Sequence, residues 1–274
     1  MYQKLGQYGC FLVILALLKC TLGAMDVRAE DIISAHLAKG VEQGDAEAQL
    51  ILGDMYRTGK GVGKNFHKAI EFLTKAAEQG HATAQCNLGI MYANGEGVGK
   101  SYQKALELWT KAAQQGNATA QYNLGTMYAK GTGVPQDLQK AIELFTKAAN
   151  QGNAGALHNL GFLYASGQGV PQNYQKALEL WTQAAGLGNT EALCDLGIMY
   201  ARGEGVTRDY QKAVKYFTQA ADQGEAKAQF NLGTMYAKGL GVAKNMDKAL
   251  ELWLKSAKQG FPEAQALLMQ LFPK

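Results

Sequence analysis

The segment that most suggests ligand chemistry runs from Asn94 to Ser101 and reads Asn-Gly-Glu-Gly-Val-Gly-Lys-Ser. It ends like a phosphate-binding loop, in which backbone amides and a lysine hold phosphate groups directly after a β-strand. That motif begins with glycine, whereas this segment begins with Asn94, and the related segments elsewhere in the chain lack the Lys-Ser pair. We therefore do not expect nucleotide binding here.

The histidines and cysteines do not have the spacing of a metal site. The four histidines are far apart, and no Cys-x-x-Cys or His-x-x-x-His pair occurs. No motif names a nucleophile with its base either. The sequence predicts no catalytic residue, no cofactor and no metal, and hence a protein that is not an enzyme.

A repeat of 36 residues organises the chain, and Asn117 to Gly152 is one copy of it. A Leu-Gly pair recurs at this interval without insertions, which indicates stacked supersecondary units forming one elongated domain. Six full units cover residues 45–260, flanked by half-units at 30–44 and 261–274, which we expect to cap the array. Positions are numbered 1 to 36 within each unit, and position 1 is Asp45, His81, Asn117, Asn153, Asn189 or Glu225.

Each unit predicts two helices, called here the first and the second helix. Ala120, Leu124 and Met127 recur with helical spacing, and so do Ala141 and Phe145 in the second half of the same unit. Position 21 is always Asn, Ser or Asp, as expected of a residue that caps the second helix. Asp or Asn at position 1 caps the first helix in four units, while the other two depart from this pattern. Gly-x-Gly-Val predicts the turn between the helices.

Small and large residues alternate so that the helices can pack closely. Position 9 is glycine, and position 29 carries the large side chain, which is Leu73, Trp109, Phe145, Trp181, Phe217 or Trp253. We expect these aromatic and methionine stripes to form the core rather than a cofactor site. Cys86 and Cys194 share one repeat position three units apart, so they should be semi-buried, unpaired residues.

Residues 1–29 predict a signal peptide, with Lys4 followed by an apolar run from Phe11 to Leu18. Cleavage would follow Ala24 or Ala29. The alternative of a membrane anchor is disfavoured because the apolar run is shorter than the ~18–20 residues of a spanning helix. Lipidation at Cys20 is a further, weaker alternative. The chain should therefore be exported, to the periplasm or beyond the cell.

The net charge of +4 falls to +2 once residues 1–29 are removed. Such a small charge excludes the concentrated basic surface that nucleic-acid binding requires. The second helices carry most of the charged residues, including a lysine at position 24 of every unit, and this side should simply be solvated.

The repeat is similar to the Sel-one-like repeat (SLR), a relative of the tetratricopeptide repeat. The pattern Ala-x-Ala-Gln-x-x-Leu-Gly-x-Met-Tyr, Gly-x-Gly-Val and a second helix rich in alanine carry the resemblance over all six units. Local departures are Leu73 at the aromatic position, Gly155 inside a helix and Ser256 in place of alanine. The resemblance implies an all-α, right-handed α/α superhelical solenoid that acts as an adaptor or scaffold, and it implies no activity.

If the first helices line a concave side, as the resemblance implies, their mostly uncharged outer stripe is a candidate groove for a protein or peptide partner. Asn can both donate to and accept from an extended backbone. The candidate residues at positions 6, 7 and 10 are Asn87, Ile90, Tyr122, Asn123, Asn159, Phe162, Ile198, Phe230 and Asn231. These residues could instead bridge adjacent first helices. Basic residues at position 14, namely Lys130, Arg202 and Lys238, could add a rim for acidic groups.

The leading hypothesis is an exported interaction scaffold, expected to be monomeric. A cell-envelope hydrolase or a carbohydrate- or peptidoglycan-binding protein is the alternative hypothesis. A purely architectural role is the third.

Overall fold

The computed structural model describes residues 37–272, so the predicted signal peptide and the start of the first half-unit lie outside the described residues. Within this range the chain forms fourteen helices and no strand. The prediction of an all-α solenoid of helix-turn-helix repeats is confirmed. No helix within residues 37–272 has both the length and the apolar composition needed to cross a membrane.

The helices alternate in the order predicted from the repeat. Residues 37–42 form the described part of α1. The first helices of the units are α2 (Ala46–Thr58), α4 (Ala82–Asn94), α6 (Ala118–Lys130), α8 (Ala154–Ser166), α10 (Thr190–Arg202), α12 (Ala226–Lys238) and the final α14 (Pro262–Leu271). The second helices are α3 (Phe66–Glu78), α5 (Tyr102–Gln114), α7 (Leu138–Ala149), α9 (Tyr174–Gly186), α11 (Tyr210–Asp222) and α13 (Met246–Lys258).

Side-chain caps fix where the helices begin. Asn117 accepts a hydrogen bond from the backbone N–H of Ala120 at 2.9 Å, and the residue at position 21 caps each second helix in the same way. His81 and Glu225, expected to depart from the pattern, cap α4 and α12 as well. Phe261 makes no such bond, and α14 begins with Pro262 instead.

Glycine ends each full-length first helix. In α6, Gly131 adopts a left-handed conformation with φ of 66°, and its N–H bonds the carbonyl of Met127. Gly133 follows at φ of 72°. A residue with a Cβ would be strained at both positions, so the turn requires glycine.

The position 9 glycine gives the large residue of the second helix its space. A Cβ on Gly125 would lie 2.7 Å from the ring of Phe145, which is only 1% exposed. Where position 29 is tryptophan, the indole N–H also reaches a backbone carbonyl of the first helix, as in Trp109 to Cys86 at 3.1 Å. The aromatic stripe is therefore core, as predicted.

The chain also divides into two larger compact units, each made of several repeats. They are called the N-terminal unit, up to Gln115, and the C-terminal unit, from Gly116. The N-terminal unit has a core of Leu50, Leu73, Leu88 and Met91 with their alanine neighbours. The C-terminal unit has two clusters, one around Phe145 and Trp181 and the other around Phe217 and Leu232.

Candidate partner-binding surface

The first-helix surface is defined here as positions 7, 10 and 14 of α6, α8, α10 and α12, all within the C-terminal unit. Position 7 is Asn123, Asn159, Asp195 and Asn231; position 10 is Thr126, Phe162, Ile198 and Thr234; position 14 is Lys130, Ser166, Arg202 and Lys238. The position 7 side chains are half-buried, and every position 14 side chain is exposed. The surface thus runs from half-buried amides to an exposed basic edge.

Two asparagines of position 7 contact the neighbouring first helix. In the C-terminal unit, the amide of Asn231 donates towards the Sγ atom of Cys194 at 3.9 Å. In the N-terminal unit, Asn87 donates to Asp54 at a long 3.5 Å. These contacts are weak by the standard of N–H···O bonds, which are usually 2.7–3.2 Å long. Asn87 and Asn231 therefore touch the adjacent first helix while part of each side chain stays accessible.

Position 6 is used for packing within a repeat and between successive repeats. Tyr122 contacts the ring of Phe145 in its own repeat, with centroids 6.0 Å apart. Phe230 contacts Phe261 in the next repeat at 5.4 Å. A Cβ on Gly155 would lie 2.9 Å from the Tyr122 ring, so this helical glycine makes room for the tyrosine. Tyr122 and Phe230 thus form contacts within the stack, and a role in partner binding remains a prediction for them.

Position 10 contains the most exposed apolar side chain of this surface. Phe162 is 50% exposed, although a fully apolar ring gains by being buried. Ile198 on the following first helix is half-buried, as is Ile90 in the N-terminal unit. Phe162 therefore offers an apolar contact beside the half-buried amides.

An ionic cluster spans three first helices where the asparagine row is interrupted. Asp195 lies with one oxygen 2.9 Å from His158 Nε2 and accepts a hydrogen bond from Lys227 Nζ at 2.9 Å through the other. Glu191 lies 3.5 Å from the second ring nitrogen of His158. Burial alone would raise the pKa of the Asp195 carboxyl, but its bonds to His158 and Lys227 outweigh burial and hold the pKa below its ordinary value. The negative charge of Asp195 is thus matched within the protein.

The sequence analysis did not join these three residues, because they belong to different units and different repeat positions. One signal in the sequence could have indicated the cluster. Two consecutive repeats depart from the usual residues, with histidine at position 6 of one and aspartate at position 7 of the next. Knowing that these positions are neighbours requires the register between helices.

A glutamine pair, buried at position 5 and exposed at position 35, was also missed. Within a unit, the position 35 amide donates to the position 5 side-chain oxygen, as in Gln115 to Gln85 at 2.8 Å and Gln151 to Gln121 at 2.9 Å. Gln85 also donates to the carbonyl of Ala77 at 3.1 Å. In the fourth unit both positions are leucine, Leu157 and Leu187, whereas the fifth unit combines Leu193 with Gln223. The signal that could have revealed the pair is the recurrence of glutamine at both positions in the other four units.

The charged side formed by the second helices makes side-chain contacts that the sequence analysis did not predict. In five units the position 24 lysine lies over the ring of the position 12 tyrosine, with Lys140 Nζ 4.3 Å from the Tyr128 centroid as the shortest case. Such cation–π contacts stabilise exposed sites by about 0.5–1 kcal/mol. These lysines are exposed, as expected, and the ring contacts are an addition to the predicted solvated face.

Neither described cysteine has the surroundings of a nucleophile. Cys86 and Cys194 are free, as expected, and each is 1% exposed. Burial raises the pKa of the Cys86 thiol to about 12 and that of Cys194 well above its ordinary value. Among residues 37–272, no three histidine, cysteine or acidic side chains come close enough to hold a metal ion.

The family comparison agrees with this geometry. The model of the Sel1 repeat matches residues 46–81, 82–117, 118–153, 154–189, 190–225 and 226–261, which is most of the chain. The chain belongs to the Sel1 repeat family. This confirms the resemblance, with the boundaries of each repeat displaced by one residue from the 45–260 division.

Two solved Sel1 repeat structures are similar over most of this chain. One is a protective antigen of uropathogenic Escherichia coli strains with an SLR fold, which has 37% identity and a TM-score of 0.74 over 86% of this chain and 51% of the antigen. The other is a Sel1 repeat protein from Oxalobacter formigenes, with 34% identity and a TM-score of 0.74 over 79% of this chain and 89% of that protein. The chain therefore spans about half the length of the E. coli antigen.

An immunity protein from Pseudomonas aeruginosa is more distant, with 26% identity and a TM-score of 0.50 over 71% of this chain and 75% of that protein. Yeast Tom70, at 16% identity, shares the fold alone. A search of curated proteins finds no match.

Proposed function

We propose that this Sel1 repeat chain is an exported, non-enzymatic scaffold whose first-helix surface binds an extended segment of a partner protein. The observation that carries the proposal is Phe162, half exposed among half-buried amide side chains. An exposed ring beside amide groups suits a peptide, because the ring can bury an apolar side chain while the amides bond the peptide backbone.

The distribution of charge supports the choice of this side of the repeats. Position 7 and position 10 of the C-terminal unit contain one charged residue, Asp195, which forms an ion pair with Lys227 and a hydrogen bond with His158. The second helices instead present exposed ion pairs, such as Glu251 with Lys255 at 2.6 Å. Exposed pairs of this kind are strongly solvated and contribute little to binding.

The test removes the first-helix contacts while leaving the core intact. Asn123→Ala, Asn159→Ala and Phe162→Ala, combined, should abolish capture of the partner found by crosslinking and mass spectrometry in the native cell. Lys147→Ala, Lys215→Ala and Lys258→Ala on the second helices form the matched control and should leave capture unchanged. If the first-helix variant keeps its helicity, melts normally and captures the same partner, the proposal fails.

Export is a separate part of the proposal and rests on residues 1–29 alone. Cell fractionation with intact-mass analysis of the mature chain tests it, and the expected N-terminus is Met25 or Glu30. Retention of the full chain in the cytoplasm would refute export without touching the binding surface.

A further inference from the structure

An open hollow lies beside the turn that joins α6 to α7 in the third repeat. Its volume is about 590 Å³, and it is lined by Tyr128, Pro135, Gln136, Asp137, Leu138 and Gln139. Tyr128 is at position 12 of α6, about 200° around the helix from positions 10 and 14. The hollow is therefore separate from the first-helix surface, and a ligand bound in it would not depend on the function proposed for that surface.

Position 22, the first residue of each second helix, differs in the third repeat. It is Leu138 there and Met246 in the sixth repeat. In the other four repeats position 22 is aromatic, namely Phe66, Tyr102, Tyr174 and Tyr210. The third repeat therefore has a small aliphatic side chain where most repeats have a ring.

In all four aromatic cases the residue at position 20 contacts this ring. Lys64, Lys100 and Arg208 lie over their rings at 4.6, 4.8 and 5.3 Å from the centroid. In the fourth repeat, Gln172 Nε2 donates a hydrogen bond to the Tyr174 hydroxyl at 3.0 Å. An aromatic ring beside the side chain of position 20 is thus a regular feature of this turn.

The third and fourth repeats are otherwise built alike at this turn. Gln136 and Gln172 each follow a proline, and each donates to the carbonyl of the alanine at position 13 at 2.8 Å. A Cβ on the position 17 glycine of the following repeat would meet the Cβ of Leu138 in one case and that of Tyr174 in the other. Leu138 has neither the ring nor the hydroxyl that Gln172 binds. The third repeat thus has the surroundings of this contact without the ring.

We propose that the hollow binds a tyrosine side chain of a polypeptide partner, with its ring against Leu138 and Pro135 and its hydroxyl accepting a hydrogen bond from Gln136. A glutamine amide has two N–H groups. Gln172 uses its amide nitrogen for both the position 13 carbonyl and the Tyr174 hydroxyl, so the same two bonds are open to Gln136.

The size of the hollow favours a tyrosine within a peptide over a free phenol. Pockets of about 300–1,000 Å³ hold whole drug-sized molecules, so a single ring fills only part of this one. The residues beside the tyrosine can enter with it and lie against Pro135 and Gln139, which are both exposed.

The experiment titrates the full chain with capped peptides of the form Gly-Ser-X-Ser-Gly, in which X is tyrosine, phenylalanine or leucine. Two-dimensional NMR follows the side-chain amide signals of Gln136 and Gln139. We expect the tyrosine peptide to shift both signals and to bind about threefold to tenfold more tightly than the phenylalanine peptide, the range for one hydrogen bond. The leucine peptide should bind more weakly than either. The Gln172 amide, already bonded to Tyr174, should not shift.

Substitutions at position 22 provide the matched variants. Leu138→Tyr supplies the ring from within the chain, as Tyr174 does, and should abolish binding of the tyrosine peptide. Met246→Tyr makes a similar change in the sixth repeat and should leave binding unchanged. Circular dichroism checks the fold of both variants, and the comparison of peptides on the unaltered chain decides if Leu138→Tyr does not fold.

A substitution at position 20 tests the hydrogen bond. Gln136→Lys copies the first two repeats, in which lysine contacts the face of a ring. In this variant the tyrosine and phenylalanine peptides should bind alike, because lysine attracts both rings.

Three outcomes overturn the inference. The first is the absence of any shift at Gln136 with the tyrosine peptide at about 10 mM, which excludes even millimolar affinity. The second is equal binding of the leucine peptide, or equal binding of the tyrosine peptide to Leu138→Tyr, since either would mean that no ring is held at this place. The third is equal binding of p-cresol, which would show that the hollow takes a free phenol and no polypeptide. None of these outcomes affects the proposed function, because Asn123, Asn159 and Phe162 do not line the hollow.

Discussion

The indole nitrogen of Trp109 donates a hydrogen bond to the backbone carbonyl of Cys86 at 3.1 Å, over the side of α4 left open by Gly89. The same bond joins Trp181 to His158 and Trp253 to Phe230. Each pairs a residue of position 29 with the carbonyl of position 6. The glycine of the Leu-Gly pair is thus explained by the approach of a large side chain to the main chain of its partner helix.

Gly89→Ala should destabilise the protein, because a Cβ would lie 2.6 Å from Trp109 Nε1. We expect a loss of about 1–3 kcal/mol in the free energy of unfolding, as for other overpacked cores. Urea denaturation measures it. Gly99→Ala is the control, since Gly99 has no atom within 4 Å of an added Cβ. Equal stability of the two variants would contradict the steric explanation.

The glutamine pair should behave as a coupled unit. Gln85→Leu removes the bond from the Gln115 amide and the bond to the Ala77 carbonyl, and should cost about 0.5–1.5 kcal/mol for each bond lost. Adding Gln115→Leu, which reproduces the leucine pair of the fourth unit, should recover part of this loss. A double-mutant cycle measures the coupling, and purely additive effects would show that the pair is incidental.

Asp195 should make stability depend on pH at the acidic end. Because its pKa is lowered in the folded chain, its contribution is present above the unfolded pKa of about 3.9 and is lost as the pH falls through the folded value. Asp195→Asn should therefore cost about 1.5–3 kcal/mol at pH 7 and progressively less below pH 4. Chemical denaturation of both chains from pH 7 to pH 3 tests this. A difference that stays constant over this range would exclude the linkage. The groups facing Asp195 are His158 and Lys227, with Glu191 beside His158.

The two buried thiols should be unreactive until the chain opens. Burial raises the pKa of Cys86 from 9.0 to about 12, which lowers its thiolate fraction at pH 8 about a thousandfold. Cys10→Ser and Cys20→Ser leave Cys86 and Cys194 as the only thiols. In this variant, Ellman's reagent should react with them no faster than the surrounding helices unfold. Immediate reaction of the native chain would contradict their burial.

The helix pairs and their caps could be predicted because they depend on residues close in sequence. Asn117 caps α6 by accepting a bond from the N–H of Ala120, only three residues further on. The core residues Ala120, Leu124 and Met127 lie within one helix. The contact between Gly125 and Phe145 could also be predicted, because both residues lie within one repeat. These are local relationships that a single repeat contains.

The contacts between repeats could not be predicted in the same way. The bonds of Asp195 with His158 and Lys227 join residues 37 and 32 positions apart, and they depend on how far one first helix is displaced along the next. Gly155 looked like a departure until Tyr122 was found against it. For Asn123, Asn159 and Phe162, the structure gives position and exposure, and partner binding stays a prediction.

The alternation of aromatic residues at position 29 provides natural spectroscopic reporters. Trp109, Trp181 and Trp253 are the three tryptophans of the chain, and each is 5–6% exposed in a different repeat. Leaving one tryptophan at a time, with phenylalanine at the other two as in Phe145 and Phe217, gives a fluorescent probe confined to one repeat. Comparing their unfolding midpoints would reveal whether the array frays from one end or melts all at once.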